Sequence, residues 1–326
     1  MNNKQIVVTG GAGYIGAVVV RQLLNRGYKV KVIDLLRFGG ESLLEVFNSP
    51  QFTFYKEDVR NKAAMEKILK DSYGIIHLAA IVGDPACKEE PELAKSTNLE
   101  GTKQLYDIAN KVGCKRFIFA STCSNYGKMA DPEKFLTEEA KLAPVSLYAE
   151  TKVAAETYLL SQSKSNQCLP TCLRFSTVYG VAPRIRFDLT VNEFAKELKL
   201  GKKLVVFGEQ FWRPYCHVTD LSRAVISVLE SVSSKVAFEV FNVGDTSENY
   251  TKQMIIDEIK KQIPSCTVEY VKKESDPRDY RINFDKIKQK LGFTITKRVR
   301  DGISEITELL DTGLLLNPDD KKYSNV

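Results

Sequence analysis

The stretch Thr9-Gly10-Gly11-Ala12-Gly13-Tyr14-Ile15-Gly16 constrains this chain more than any other, because it directly follows a β-branched run, Gln5–Thr9, and opens a helical pattern over about 14–26. Glycines at 10, 13 and 16 permit a tight turn, close approach of the backbone to a pyrophosphate, and close packing of helix on strand. The unpaired N–H groups of the first helical turn, at Tyr14, Ile15 and Gly16, then face the anion together with the positive end of the helix dipole. A glycine string alone marks many turns. Here Asp34 ends the second strand-like run, 18 residues beyond Gly16. A carboxylate at about that distance accepts hydrogen bonds from adenosine ribose hydroxyls. Its charge repels a 2′-phosphate, so NAD is expected rather than NADP, with Arg37 near enough to soften the preference.

The pattern repeats. Near-continuous apolar runs at Gln5–Thr9, Lys29–Ile33, Gly74–Leu78, Arg116–Ala120 and Thr171–Arg174 alternate with helical stretches at about 14–26, 61–71, 92–112 and 146–163. Strands apolar on both faces belong in a parallel sheet covered by helices on either side. The expected fold is therefore α/β, a Rossmann-type doubly wound sheet with ligands at the carboxyl ends of its strands. After about residue 180 the rhythm changes. A helix is expected near 189–200, a strand over Lys203–Phe207, a loop over Trp212–His217, a strand over Ala237–Val243 and a helix near 251–263. Residues 1–179 read as the dinucleotide-binding domain and 180–326 as a smaller substrate region, some of it packing back on the first sheet. The tail Asn317–Val326 reads as frayed.

Composition narrows the partners. The 326 residues are 43% hydrophobic and 27% charged, an ordinary globular balance. No apolar run approaches the roughly 20 residues that cross a bilayer, and Met1-Asn2-Asn3-Lys4 leads straight into a strand, so a cytoplasmic protein without membrane contact is expected. The net charge of +6 is spread along the chain with no arginine stripe between aromatics, which gives no sign of nucleic-acid binding. Seven scattered cysteines and two histidines show no metal-ligand spacing, so no metal is expected.

Tyr148 and Lys152 share one face at the start of a helix, with side-chain bases within about 6 Å. That closeness suits proton transfer, because an ammonium favours the phenolate, and a depression of roughly three pH units would bring a tyrosine near neutrality. Ser121-Thr122-Cys123-Ser124-Asn125-Tyr126-Gly127 follows a strand at its carboxyl end and offers a hydroxyl to the same substrate oxygen. Ser121 itself reads as part of the turn.

Taken together with Asp58-Val59-Arg60, His77-Leu78-Ala79-Ala80 and Asn98, these motifs resemble an extended short-chain dehydrogenase/reductase, and more narrowly the NAD-dependent epimerase/dehydratase family acting on nucleotide sugars. The resemblance implies that Asp58 and Val59 contact adenine and that Ala79 and Asn98 belong to the cofactor site. It implies that Lys152 also holds the nicotinamide ribose, and that Thr122 is the hydroxyl partner of Tyr148, with Ser124 beside it. It further implies a homodimer through helices 92–112 and 146–163.

In the second half, Trp212 to Leu221 is similar to the family's segment in which an arginine approaches the nucleotide or diphosphate, here Arg213, with His217 and Asp220 structural. Arg278 and Arg281 fall where the family places diphosphate-binding residues, and Arg184 and Arg186 are candidates for the same pocket. Guanidinium forks suit that anion.

Family 4,6-dehydratases carry an Asp-Glu pair directly after the catalytic Thr, where this chain has Cys123 and Ser124, so dehydration is disfavoured. Oxidation of a nucleotide-diphosphate sugar at C4 remains, as a 4-epimerase, or as a net 4-dehydrogenase if the ketone leaves. Thr177 replaces the family's common Asn, which leaves room for GDP- or CDP-linked hexoses or heptoses. A non-catalytic NAD-binding regulator is the reading from another class.

Overall fold

Gln5–Thr9 has no charge and is buried at every position but the first, so both faces need cover; it forms β1 inside a parallel sheet. The computed structural model describes residues 4–129, 131, 134–274, 276 and 278–325. Further strands are β2 (Lys29–Asp34), β3 (Phe52–Lys56), β4 (Gly74–His77), β5 (Arg116–Thr122), β6 (Leu169–Phe175), β7 (Thr177–Tyr179), β8 (Leu204–Phe207), β9 (Trp212–His217), β10 (Glu239–Val243), β11 (Asn249–Thr251) and β12 (Val268–Val271). Seven of them form one sheet in the order β10-β6-β5-β4-β1-β2-β3, with every pairing parallel. The order reverses between β1 and β4, and the crevice for a ligand opens there, at the carboxyl edge.

Alternate side chains of these strands enter two separate cores. Val7, Ile33, Ile75, Phe117 and Cys172 pack on one face; Ile6, Val32, Ile76, Ile118 and Leu173 pack on the other. The flanking helices begin with α1 (Tyr14–Asn25), α2 (Lys62–Ile68), α3 (Asp84–Glu89), α4 (Pro91–Lys95), α5 (Thr102–Lys111) and α6 (Leu147–Leu160). Beyond the sixth strand come α7 (Thr190–Lys199), α8 (Val218–Glu230), α9 (Ser233–Val236), α10 (Lys252–Gln262), α11 (Asp285–Leu291) and α12 (Val299–Asp311). Of these, α8 packs on α1, and β10 extends the large sheet. Tyr179, Val191, Ile255 and Ile303 lie in a core of their own beside it.

Three local expectations are corrected. The single helix over 92–112 is two helices, α4 and α5, joined by a π turn at Ser96–Gly101 that buries Asn98. The loop over Trp212–His217 is the strand β9, held between β7 and β11, where Arg213 and Pro214 mask the apolar pattern. The tail is not frayed: Phe187 N–H donates to Tyr323 O at 2.7 Å, their rings meet edge to face at 5.8 Å, and Lys196 and Lys202 both reach Asp319 at 2.8 Å. Val326 lies outside the described residues. Among them, no helix is long and apolar enough to cross a membrane.

Candidate active site

A cavity of about 700 Å³ opens along the carboxyl edge of the sheet. Its floor is the glycine loop. A side chain at Gly16 would put Cβ 2.1 Å from Gly10 O, and Gly10 itself has φ +71° with Ala79 N only 2.8 Å from where a Cβ would stand. Gly13 precedes α1 without a side-chain cap, so the first-turn N–H groups and the helix dipole face the cavity. Tyr14 and Ile15 line it, with the Tyr14 hydroxyl donating to Gly180 O at 2.5 Å.

Asp34, at the end of β2, accepts from Ala12 N–H at 3.0 Å and Leu36 N–H at 2.8 Å. Burial raises its carboxyl above the ordinary value, against those N–H groups and Arg184. Arg37 is turned away to Glu90 at 2.5 Å, so it does not offset Asp34. Asp58 and Val59 line the same wall, with Arg60 lowering the Asp58 carboxyl through a 2.6 Å ion pair. A glycine cradle with no room for a Cβ, an uncapped helix start and a carboxylate at the next strand end fit a dinucleotide that bears free ribose hydroxyls. Replacing Asp34 by Ala is expected to weaken NAD binding by about tenfold or more and to narrow the gap to NADP. Calorimetric titration with both dinucleotides measures this, and an unchanged NAD affinity would remove Asp34 from the ribose.

At the other end, Ser146 caps α6 by accepting from Ala149 N–H at 3.3 Å, and the first turns of that helix carry Tyr148 and Lys152 into the cavity wall. Lys152 is 2% exposed; its ammonium donates to Ala120 O at 2.9 Å, lies 4.8 Å from the centre of the Phe119 ring, and burial pulls it down to about 8. The expected depression of Tyr148 is corrected here. Burial raises the phenol, Cys87 adds to that, and Arg186 opposes it; Lys152 stands 5.9 Å from the ring centre with its ammonium engaged by Ala120 O. Thr122, at the end of β5, accepts from Ser124 N–H at 3.1 Å, which leaves its own proton to be donated. The Cys123 sulfur faces Arg174 O at 3.3 Å in the core, and burial pushes its thiol far up.

The basic candidates divide. Arg213 pairs with Asp276 at 3.0 Å, Arg278 with Asp84 at 2.8 Å, and Arg186 with Asp188 at 3.0 Å; these side chains line the cavity, as do Ser124 and Thr177. Arg184 also lines it, stacked over the Phe38 ring, where the charges of Arg186 and Asp188, and then of Asp34, act on it. Arg281 lies outside the wall, its guanidinium between the Phe135 and Trp212 rings at 4.7 and 5.0 Å. Asn98 is also outside the wall; it holds the Ile81 backbone through bonds of 2.8 and 2.9 Å and so shapes the loop that follows β4. Sequence reading missed Lys252, Asp84, Asp188 and Asn325 in the lining. Asp84 carried a signal, since it opens α3 a few residues past the carboxyl end of a central strand. His217 accepts from Thr219 N–H at the start of α8 and meets Glu305 at 2.9 Å; Asp220 accepts from Thr296 and Lys297 N–H. Among the described residues, no three His, Cys, Asp or Glu side chains are grouped to hold a metal ion.

Beneath the cavity, His77 is fixed between Thr9 Oγ1 at 2.7 Å and Thr102 Oγ1 at 2.9 Å. Burial, then the charge of Lys152, push its imidazole down to about 3. The unfolded imidazole takes a proton below about 6.5, and the folded one does not until about 3. Between those values the unfolded chain holds more protons. Stability from this group is therefore full above about 6.5 and is lost as pH falls, by roughly 1.4 kcal/mol per pH unit. Melting curves from pH 7 to 4 should show this decline, and His77→Gln should flatten it by about one proton; equal slopes in the two proteins would refute the assignment.

A family model described as the NAD dependent epimerase/dehydratase family matches residues 6–244. The UDP-glucuronate 4-epimerase of Thermodesulfobacterium geofontis (strain OPF15) is 30% identical over 268 residues, 79% of this chain and 80% of that protein. UDP-glucuronic acid decarboxylase 1 of Arabidopsis thaliana is 28% identical over 327 residues, covering 98% of this chain and 72% of the relative. The crystal structure of UDP-glucuronic acid 4-epimerase from Bacillus cereus, in complex with UDP-glucuronic acid and NAD, matches with a TM-score of 0.85 at 26% identity, over 94% of this chain and 99% of that one.

Proposed function

Because this chain belongs to the NAD dependent epimerase/dehydratase family and is an NAD-dependent enzyme, we propose that it oxidises C4 of a nucleotide-diphosphate sugar and restores it with inverted configuration, as a 4-epimerase. Bound NAD supplies the hydride acceptor and later the hydride donor. Tyr148 takes the proton of the C4 hydroxyl while Thr122 donates to the same oxygen; the charge of Arg186 favours the phenolate, and Lys152 stands beside the Tyr148 ring. The C4–H bond breaks with its electron pair leaving as hydride, the O–H proton goes to Tyr148, and a ketone remains. Once the ketone has turned its other face and been reduced there by the bound cofactor, Tyr148 would give the proton back to the C4 oxygen. Arg213 and Arg278, in the 180–326 region, face the diphosphate.

One observation carries the reading. The reactive end of the cavity offers Tyr148, Thr122 and Lys152 for proton transfer, while the two residues after Thr122 are a core-buried thiol and a serine. Asp84 and Asp188 line the cavity, but each is tied to a guanidinium. Neither arrangement supplies the acid and base needed to expel water. Relatives bearing the names of UDP-sugar 4-epimerases also support C4 as the reacting centre. The proposal includes a homodimer through 92–112, now α4 and α5, and through α6, which sedimentation would report as twice the chain mass.

A test is the absorbance of reduced NAD at the enzyme when UDP-, GDP- or CDP-linked sugars are added. The 4-epimerase reading expects a small bound signal, below the enzyme concentration, that does not grow with time. Growth in proportion to the sugar consumed would replace it by the net 4-dehydrogenase.

A further inference from the structure

Two buried polar atoms in the cavity wall have no partner among the described residues: Arg184 Nε and Asn325 Oδ1. Arg184 is 8% exposed, and a buried donor left unmatched in a site costs free energy that a ligand can recover. Its guanidinium lies 4.3 Å from the centre of the Phe38 ring, four residues past Asp34; the charges of Arg186 and Asp188 act on it first and that of Asp34 next, and Arg184 is in turn the charged side chain that acts on Asp34. Arg184 therefore belongs to the end of the cavity that the second strand shapes. That is the adenosine end.

The chain's last turn is fixed to the same place. Arg184 Nη2 donates to Ser324 O at 3.0 Å, Phe187 N–H donates to Tyr323 O at 2.7 Å, and Asp319 receives Lys196 and Lys202. These tethers bring Asn325 into the wall, its acceptor in the same lining as the unmatched Arg184 donor. A ribose with free hydroxyls, or the amino edge of adenine, both gives and takes hydrogen bonds and matches such a pair.

We propose that Arg184 and the tail Asn317–Asn325 complete the adenosine half of the NAD site, with Arg184 Nε donating to the nucleotide and Asn325 Oδ1 accepting from it. Arg184 is thereby a cofactor residue rather than a substrate residue. The tail acts as an outer wall that slows cofactor loss. This inference rests on NAD as the cofactor and not on the chemistry at C4, so either can fail while the other stands.

The test uses full-length Arg184→Gln and Asn325→Ala, freed of bound nucleotide and titrated calorimetrically with NAD and with ADP-ribose, which lacks the nicotinamide. Arg184→Gln should weaken both ligands about tenfold or more and by the same factor. Asn325→Ala should weaken both about threefold or more, and circular dichroism should match the parent for each variant. Affinities within twofold of the parent in both variants would overturn the proposal. So would a loss confined to NAD, because it would move Arg184 to the nicotinamide end. If Arg184→Gln does not fold, Asn325→Ala decides alone: it removes a side chain whose acceptor has no partner among the described residues, so a structural role predicts no loss of ADP-ribose.

Discussion

Tyr148→Phe is expected to lower kcat by about 10³-fold while leaving NAD affinity within about twofold of the parent. The phenol is the one group of the Tyr148, Thr122 and Lys152 set that can both take and return a proton at the same oxygen. Thr122 donates but is a poor base, and the Lys152 ammonium is held by Ala120 O. Removing the hydroxyl deletes no packing: the ring stays against the cluster of Ile81, Cys87 and Ala94. The loss should fall on kcat, because the proton moves only in the reacting complex. Turnover kept within tenfold would transfer the base role elsewhere. The raised phenol of Tyr148 adds a pH dependence. The charged base is scarce at neutral pH, so the parent rate should rise with pH from 6 toward 8, near which Lys152 has lost half of its charge.

The second large effect is on stability. Glu156→Gln should destabilise the fold by about 3–5 kcal/mol, because it leaves Arg174 buried without its counter-charge. The pair is 3–5% exposed and sits in a chain of contacts. Ser121 donates to Glu156 at 2.8 Å, Asn125 donates to Ser121 at 3.0 Å, Arg174 reaches the Tyr126 hydroxyl at 2.8 Å, and Tyr126 donates to Asn242 at 2.7 Å. This network joins β5, β6, β10 and α6 directly below Thr122, Tyr148 and Lys152, so it sets the spacing of the groups above it. Removing both charges, as in Glu156→Gln with Arg174→Met, should recover part of the loss. Urea unfolding of the parent and the two variants measures it, and a Glu156→Gln cost below about 1 kcal/mol would mean that the pair is offset by solvent.

Features written in local spacing were legible from the sequence. The glycine loop, the acid after β2 and the Tyr148/Lys152 turn each depend on residues a few positions apart or one βαβ unit long, and the structure brings all of them to the lining of one cavity. β3 was missed because it is a half-exposed edge strand, Phe52–Lys56, without a continuous apolar run. The strand at Trp212–His217 was missed because its pairing partners, β7 and β11, lie far off in sequence. Long-range burial hid the rest. Arg184 meets the tail across 140 residues, and Arg281 finds its place only between the Phe135 and Trp212 rings. The phenol of Tyr148 could not be read from its spacing to Lys152, because spacing reports proximity and not desolvation.

The measurement that bears most directly on C4 chemistry is NMR of sugars deuterated at C4, incubated with the protein and NAD as UDP-, GDP- and CDP-linked hexoses and heptoses. The account predicts, for at least one of them, a product inverted at C4 that keeps its deuterium, with no net NADH. A C4 ketone formed in step with deuterated NADH, or an unchanged C4 centre in every sugar, would contradict it.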